Sequence, residues 1–533
     1  MAAVTLQILI DGTEIRDITQ SSHAVVGSVE VFAELNHHSR CTVELRQTPD
    51  LRPPIESWIG KTLEIFSTAQ DPLGRQIFCG FVLDVQLEYE ISGSFKAVLQ
   101  GVSLSYKLDL ATRVFYYGQA SISDVASKIK GRAGVQADVR SGGDIQPPMD
   151  LVQWAETDWH FLWRLCDDFG LYVMPTKDGI RIDRGFPDSG PTLTWRTNED
   201  TSLISFTIRG ALAPPKVDGC HYDFTQSSSQ SFQGETRDPS VTDAIDALVS
   251  AVKREAAANL GAAYKHWRNR AFSVSDYQNS LQSEAEWSIG SQFVCEGVTR
   301  SEGLAPGLKI QVDGVIDGQG TYNIFRVLHH WDQAGYTNHF SCTPWTNYRS
   351  FPHPKRPKLS GIHPARVTGI DDPDRMGRVK VQFFWQEEGD STWIRHLSPY
   401  AGEDRGIFFR PEIGDEVMVA FEAGDPERPV IVGSAWNKSD GTPNEDFWAD
   451  ETHNNDVKRI VTKSGHRFSM VDKEGKEAIG IATPVHTKIV LHEKTDETGR
   501  PAIMICVEDG DIMLSAPNGR IHFHAKYWSR EVG

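Results

Sequence analysis

The sequence predicts a mainly β protein with a few helices, an OB-fold barrel and a C-terminal intertwined trimeric β-helix or β-prism. Three observations predict it. Apolar runs of period 2 recur through most of the 533 residues, as half-buried strands require. About five such runs, joined by turns, fall within 365–436, which fits a five-stranded Greek-key barrel. From Lys458 onward the runs shrink to two or three apolar residues, too few for one chain to close a core.

Length and composition set the frame. A chain of 533 residues suggests three or four domains. With 24% charged and 39% hydrophobic residues it has ample material for cores. A net charge of −18 argues against a general nucleic-acid binder, which must offset phosphate charge with Lys and Arg. The cysteines at 41, 79, 166, 220, 295, 342 and 506 are dispersed and form no CxxC. That fits reduced thiols in a chain folded in the cytoplasm, and fits poorly with a disulfide framework or a zinc site. The start, Met1 to Gln7, lacks a basic segment, and no apolar run reaches membrane-spanning length. If the protein leaves the cell, another machine carries it.

The first stretch, 1 to about 115, reads as strands: 4–10 running into an Asp11-Gly12 turn, then 26–34, 41–46, 62–67, 77–85 and 95–101. Ser121 opens a short helix through Val125 and Ile129 that stops near Gly131 and Gly134. The clearest helical stretch lies in 153–172. Thr157 caps it, Trp159, Leu162, Cys166 and Phe169 form its buried face, and Gly170 supplies a left-handed stop. Strands resume at 171–174 and 179–183 and continue to about Tyr222. The Ser/Gln-rich stretch 225–238 reads as a mobile loop. Ala-rich 244–267 reads as a helix with Leu248, Val252, Ala256, Leu260 and Tyr264 at helical spacing. A further β block runs from 293 to 344. The expected divisions are a first domain at 1–355 and a stiff Pro-rich linker at 356–364, whose Lys and Arg read as solvated.

The barrel follows at 365–436. Val379, Val381, Phe383 and Trp385 alternate with Arg378, Lys380 and Gln382. Further strands fall at 392–395, 416–421 and 429–433, and a Gly424-Asp425-Pro426 turn separates the last two. Phe383, Trp385 and Phe421 read as packing residues, not as a base-stacking platform. Residues 437–457 form a polar linker. In 458–533 the apolar sets are Phe468/Met470, Ile479/Ile481, Ile489/Leu491, Ile503/Ile505/Val507, Ile512/Leu514/Ala516 and Ile521/Phe523/Ala525. Three copies about one axis would turn these inward; an ordinary β-sandwich is the alternative.

The order of these parts resembles a VgrG-type spike protein of contractile injection systems. The residues that carry the resemblance include Glu156-Thr157-Asp158-x-x-Phe161-Leu162-x-Arg164-Leu165, Leu304-Ala305-Pro306-Gly307 and the run Tyr322 to His330. In the barrel they are Gly377 to Phe383, Pro411 to Val417 and Gly424 to Gly433. The resemblance implies two similar β-barrel subdomains in a phage-tail-hub-like domain, an OB barrel and a spike blade. It also implies a homotrimeric tip, mainly of type VI secretion, adapting a hexameric Hcp-like tube to threefold symmetry. The implied partners are a PAAR-repeat tip protein, baseplate components and effectors. The target-cell membrane is met transiently, and nucleic acid is not a partner. The machine would be loaded in the cytoplasm and would deliver the spike outside the cell or into a target cell. Fused effector or lysozyme domains of the kind some relatives carry are not expected, because the stretch between barrel and blade is too short and the chain stops soon after the blade.

Motif chemistry points the same way. No HExxH, GxxxxGK[ST] or GxSxG occurs, so no catalytic residue is assigned and no cofactor is expected. The Asp371-Asp372-Pro373-Asp374 turn is expected to be solvated, with cation binding as the alternative. His522 and His524 stand at i and i+2, on one face of a strand. In a trimer they would offer six imidazoles to an axial iron or zinc. Against this, Ile521, Phe523 and Ala525 are the natural inward set. Two other readings stay open: a cell-wall hydrolase on a spike scaffold, and an OB-fold binder of nucleic acid.

Overall fold

The computed structural model describes residues 6–15, 25–47, 55–67, 75–145 (without 90 and 92–94), 150–196, 202–235 (without 213, 215, 225 and 226), 243–259, 264–267, 281, 282, 285, 293–345, 354–442 (without 388), 455–494 and 499–527. The chain forms two units, Met1–Ala435 and Trp436–Gly533.

In the first unit, strand alternation builds one thirteen-stranded sheet that serves two cores. Strands from Leu6–Ile10 to Phe95–Ser103 pair antiparallel around Ile8, Val43, Leu63 and Leu99. Strands Phe293–Thr299, Leu308–Asp313, Gly320–Asp332 and Gly335–Thr343 enclose a second core of Ile310, Tyr322, Ile324 and Phe340. The halves join where Gly320–Asp332 pairs antiparallel with Val25–Glu34. There Arg326 forks onto the Glu34 carboxylate at 3.0 and 3.1 Å.

Among the described residues there are three helices, two packed on the smaller sheets and one on the large sheet. Helix α1, Ile122–Ala133, opens with a reciprocal capping box between Ser121 and Asp124 and ends at Gly134, φ +65°. Gly131 lies inside α1 and does not stop it. Helix α2, Asp158–Asp168, is capped by the Thr157 hydroxyl, which accepts the His160 N–H at 3.2 Å. Residues 151–157, expected as helix in part, are instead a strand paired with Thr112–Gly118. The expected face of α2 is buried, but so are Phe161, Trp163, Arg164 and Leu165. Only a narrow stripe at exposed His160 and half-buried Asp167 stays open, too little for periodicity to mark.

Helix α3 spans Asp243–Asn259 and buries Ile245, Val249 and Ala256, whereas Leu248 is exposed. The expected continuation through Tyr264 is wrong: Tyr264–Trp267 is a strand parallel to Lys216–Asp223. The expected loop at 225–238 is also corrected. Ser228–Glu235 pairs along its whole length with Lys216–Asp223. The ladder hydrogen bonds, which polar side chains do not oppose, hold it.

The barrel closes fully. Its strand order is Lys380–Phe383, His363–Gly369, Glu416–Phe421, Pro429–Ser434, Arg395–His396. Reciprocal hydrogen bonds between Val379 and Ile394, at 3.1 and 2.8 Å, join the ends. Phe383 and Phe421 are buried in its core with Trp385 packed against them. The preceding stretch is docked onto neighbouring elements: Leu359 enters the barrel core, and Arg356 pairs with buried Asp168.

The second unit is a five-stranded antiparallel meander, Val457–Val461, Arg467–Val471, Ala478–Ala482, Thr487–His492 and Ala502–Val507. Its own core is small: Val471, Ala478 and Val490. The two last expected rungs, around Leu514 and Phe523, form no strand in the single chain.

Candidate functional site

Two places concentrate chemistry that the core does not require. One is the junction between α2 and the barrel. A β-bulge at Ala155, φ +48°, interrupts the strand before α2. Such a bulge re-aims the side chains around it. Trp154 stands edge-on to Trp385 at 5.3 Å and to His363 at 5.4 Å. Glu156 takes the Arg164 guanidinium at 2.6 and 3.2 Å. Arg164 donates onward to Glu427 at 3.0 Å and to the Val152 carbonyl at 3.0 Å. Glu427 sits in the Gly424-Asp425-Pro426 turn, where its N–H bonds Asp425 at 3.0 Å.

All three charged groups of this bridge are buried. Burial opposes the Arg164 charge, and the flanking Glu156 and Glu427 carboxylates outweigh it, holding the guanidinium more firmly protonated than usual. Nearby, the Asp150 carboxylate accepts the Thr392 N–H at 2.5 Å, and burial pushes its pKa up. The bridge was not legible as such in the sequence. The available signal was a charged Arg164 set among Trp163, Leu165 and Cys166, eight residues after an acid.

The Asp371 to Asp374 turn corrects the solvated expectation in part. Asp372 is buried and accepts N–H groups from Asp374, Met376 and Arg378 at 3.1, 2.9 and 3.1 Å. The Arg378 guanidinium, bonded at 2.6 Å, is foremost in holding this carboxyl down at about 2. The turn carries its own counter-ion.

The other place is one face of the meander. Ile460, Phe468, Ile481, Ile489 and Ile505 are consecutive cross-strand partners, one from each strand. Met470, Ile479, Leu491 and Ile503 make a second row beside them. These nine side chains are 36–72% exposed. The pairs expected from spacing are thus in register, on one side of the sheet, and uncovered within the chain. A contiguous apolar face of this kind marks an interaction surface.

His522 and His524 are both exposed, with rings stacked 6.1 Å apart at 14°. Among the described residues, no cluster of three or more His, Cys, Asp or Glu is placed to hold a metal ion. A Ser-His-Asp alignment does occur: Ser105 Oγ lies 2.8 Å from His38 Nδ1, and His38 Nε2 lies 3.6 Å from Asp109. Ser105 is fully buried and His38 packs on Trp159 at 3.9 Å, so the hydroxyl faces no substrate. It braces α2, whose capping Thr157 donates to the same Asp109 at 2.5 Å.

The chain is similar to known proteins. The family model of the phage tail baseplate hub (GPD) matches residues 33–335. That of the type VI secretion system/phage-baseplate injector OB domain matches 363–436. The type VI secretion system spike protein VgrG5 of Pseudomonas aeruginosa is 26% identical over 419 residues, covering 67% of this chain and 51% of that protein. The actin cross-linking toxin VgrG1 of Vibrio cholerae is 25% identical over 68% of this chain and 34% of its own length. The chain therefore spans about half of the first and a third of the second. Among solved structures, the Francisella PdpA-VgrG complex in its half-lidded form superposes with a TM-score of 0.56 at 9% identity, over 95% of this chain and 88% of that one. The E. coli c3393 protein, described as a type VI secretion component similar to T4 gp27 and gp5, gives 0.51 at 18% identity, over 80% and 100%. These structural likenesses show the fold. With the hub match running over more than half of its length, the chain belongs to the phage tail baseplate hub (GPD) family, and it is similar to VgrG-type spike proteins.

Proposed function

We propose that three copies of this chain form the non-enzymatic spike of a contractile injection machine. The blade, 458–533, winds with its two copies about one axis. The hub, 1–355, adapts a hexameric Hcp-like tube to that threefold axis. The docked stretch 356–364 and the barrel 365–436 form the neck, and 437–457 leads into the blade. A PAAR-repeat tip or effectors ride at the end. The machine is loaded in the cytoplasm, and sheath contraction delivers the spike outward.

One observation carries this reading: the nine-residue apolar face of the meander, uncovered in the single chain. Covering it in a trimer gains on the order of 10 kcal/mol per chain. The names of the curated relatives, type VI secretion spike proteins, support the choice of machine. Light scattering of the purified protein is expected to give about 180 kDa, three copies of a 59.5 kDa chain; a purely monomeric species would overturn the reading. Deleting 458–533 is expected to abolish tip binding while the hub stays folded.

A further inference from the structure

Strands Phe293–Thr299 and Gly335–Thr343 run side by side, and their register sets Cys295 directly opposite Cys342. Directly opposed residues of antiparallel strands have Cα atoms about 4.5–5.5 Å apart and project to one face. A disulfide bridges Cα separations of about 4.4–6.8 Å. Both thiols lie in the second hub core, 1% and 0% exposed. The outer register neighbours of the pair are Ile208 and Ile324, so no third thiol stands beside it. The other strand cysteines, 41, 79, 220 and 506, face Gly101, Glu64, Ser231 and Lys488 across their strands.

We propose that Cys295 and Cys342 form a latent cross-strand dithiol that closes to an intrachain disulfide when the protein meets a small disulfide oxidant. The first thiol loses its proton and attacks one sulfur of, for example, oxidised glutathione, releasing one glutathione thiolate. The second thiolate then attacks the mixed disulfide and releases the other. The two protons given up by the cysteines end on two glutathione thiols, and the glutathione disulfide takes the two electrons.

Burial pushes the Cys342 thiol up, with Cys295 as its neighbour, so the attacking thiolate is scarce while the sheet stays closed. The pair therefore stays reduced in a reducing compartment, and exchange waits on opening of the sheet. The finished bond would clip together the two strands that enclose Leu308–Asp313 and Gly320–Asp332 in sequence. The pairing itself goes beyond the spike reading; only the moment of oxidation, on leaving the cytoplasm, rests on it.

The test uses the full chain in two arms. In one, native protein is held with oxidised glutathione at mildly alkaline pH. In the other, oxidation accompanies refolding from urea, which removes the access barrier. Samples are then alkylated in denaturant and digested. The expected product is one linked peptide pair containing Cys295 and Cys342, about 2 Da lighter than the sum of its parts. Two of the seven thiols should be lost to alkylation, and reductant should restore them. Cys295→Ser should give no such pair and leave Cys342 alkylated. The proposal is overturned if both arms leave Cys295 and Cys342 alkylated, or if the dominant bridge joins either to another cysteine. Because the readout is a peptide mass, it stands or fails independently of the trimer.

Discussion

Replacing Arg164 by Met tests the junction between α2 and the barrel directly. In the native fold this side chain neutralises two buried carboxylates, Glu156 and Glu427, and satisfies the Val152 carbonyl. Methionine restores the apolar volume but leaves two acids without a cation and a carbonyl without a donor. Breaking a buried pair in this way costs about 3–5 kcal/mol. The loss should appear in urea unfolding followed by tryptophan fluorescence, because Trp154, Trp163 and Trp385 lie close to the bridge. Adding Glu156→Gln and Glu427→Gln to Arg164→Met should recover most of the loss, since the uncompensated charges go with it. A single variant within about 1 kcal/mol of the parent would refute the claim that this bridge ties barrel to hub.

Four further outcomes are expected. Burial, with Arg75 adding to it, holds His329 down at about 4 against a usual 6.5. The unfolded chain therefore takes up a proton first, and stability should fall by about 3 kcal/mol as pH drops from 6.5 to 4. His329→Gln should flatten that slope in a pH series of urea melts. Asp372, held at about 2 against 3.8, contributes stability that is complete above 3.8 and lost between there and 2. Asp372→Asn should cost about 2 kcal/mol at neutral pH and little at pH 2, read by the same melts. On the meander, Ile481→Asp places a charge in the middle of the apolar ladder, so light scattering should show a shift from the proposed trimer toward monomer. Metal analysis of the purified protein should find less than one iron or zinc ion per three chains; a full equivalent lost on replacing His522 and His524 would reverse that expectation.

Legibility followed the physics of each part. The barrel strands could be read because a closed sheet with one face inward forces strict alternation, as at Val379, Val381 and Phe383. The capping of α1 and α2 could be read because Ser121 and Thr157 satisfy backbone donors a few residues away. Bounds failed where tertiary pairing overrode composition. Ser228–Glu235 looks like a loop by residue type but gains a full ladder from its neighbour. Tyr264 fits a helical period yet lies in a strand. The neck bridge was hidden because Arg164 and Glu427 are 263 residues apart and neither local pattern names the other. The apolar ladder was visible as spacing, whereas its register needed the strand pairing.

That separation also bears on how the protein is made. A ribosome adding about 5–20 residues per second needs roughly 15–50 s to pass from Arg164 to Glu427. During that interval the nascent α2 carries a guanidinium with only one of its two acids. This corner cannot take its final sealed form until the barrel's turn emerges, so the contact is completed late in synthesis. A chain stalled before residue 427 keeps an unsealed, hydrated corner, which is where a chaperone or protease would find it.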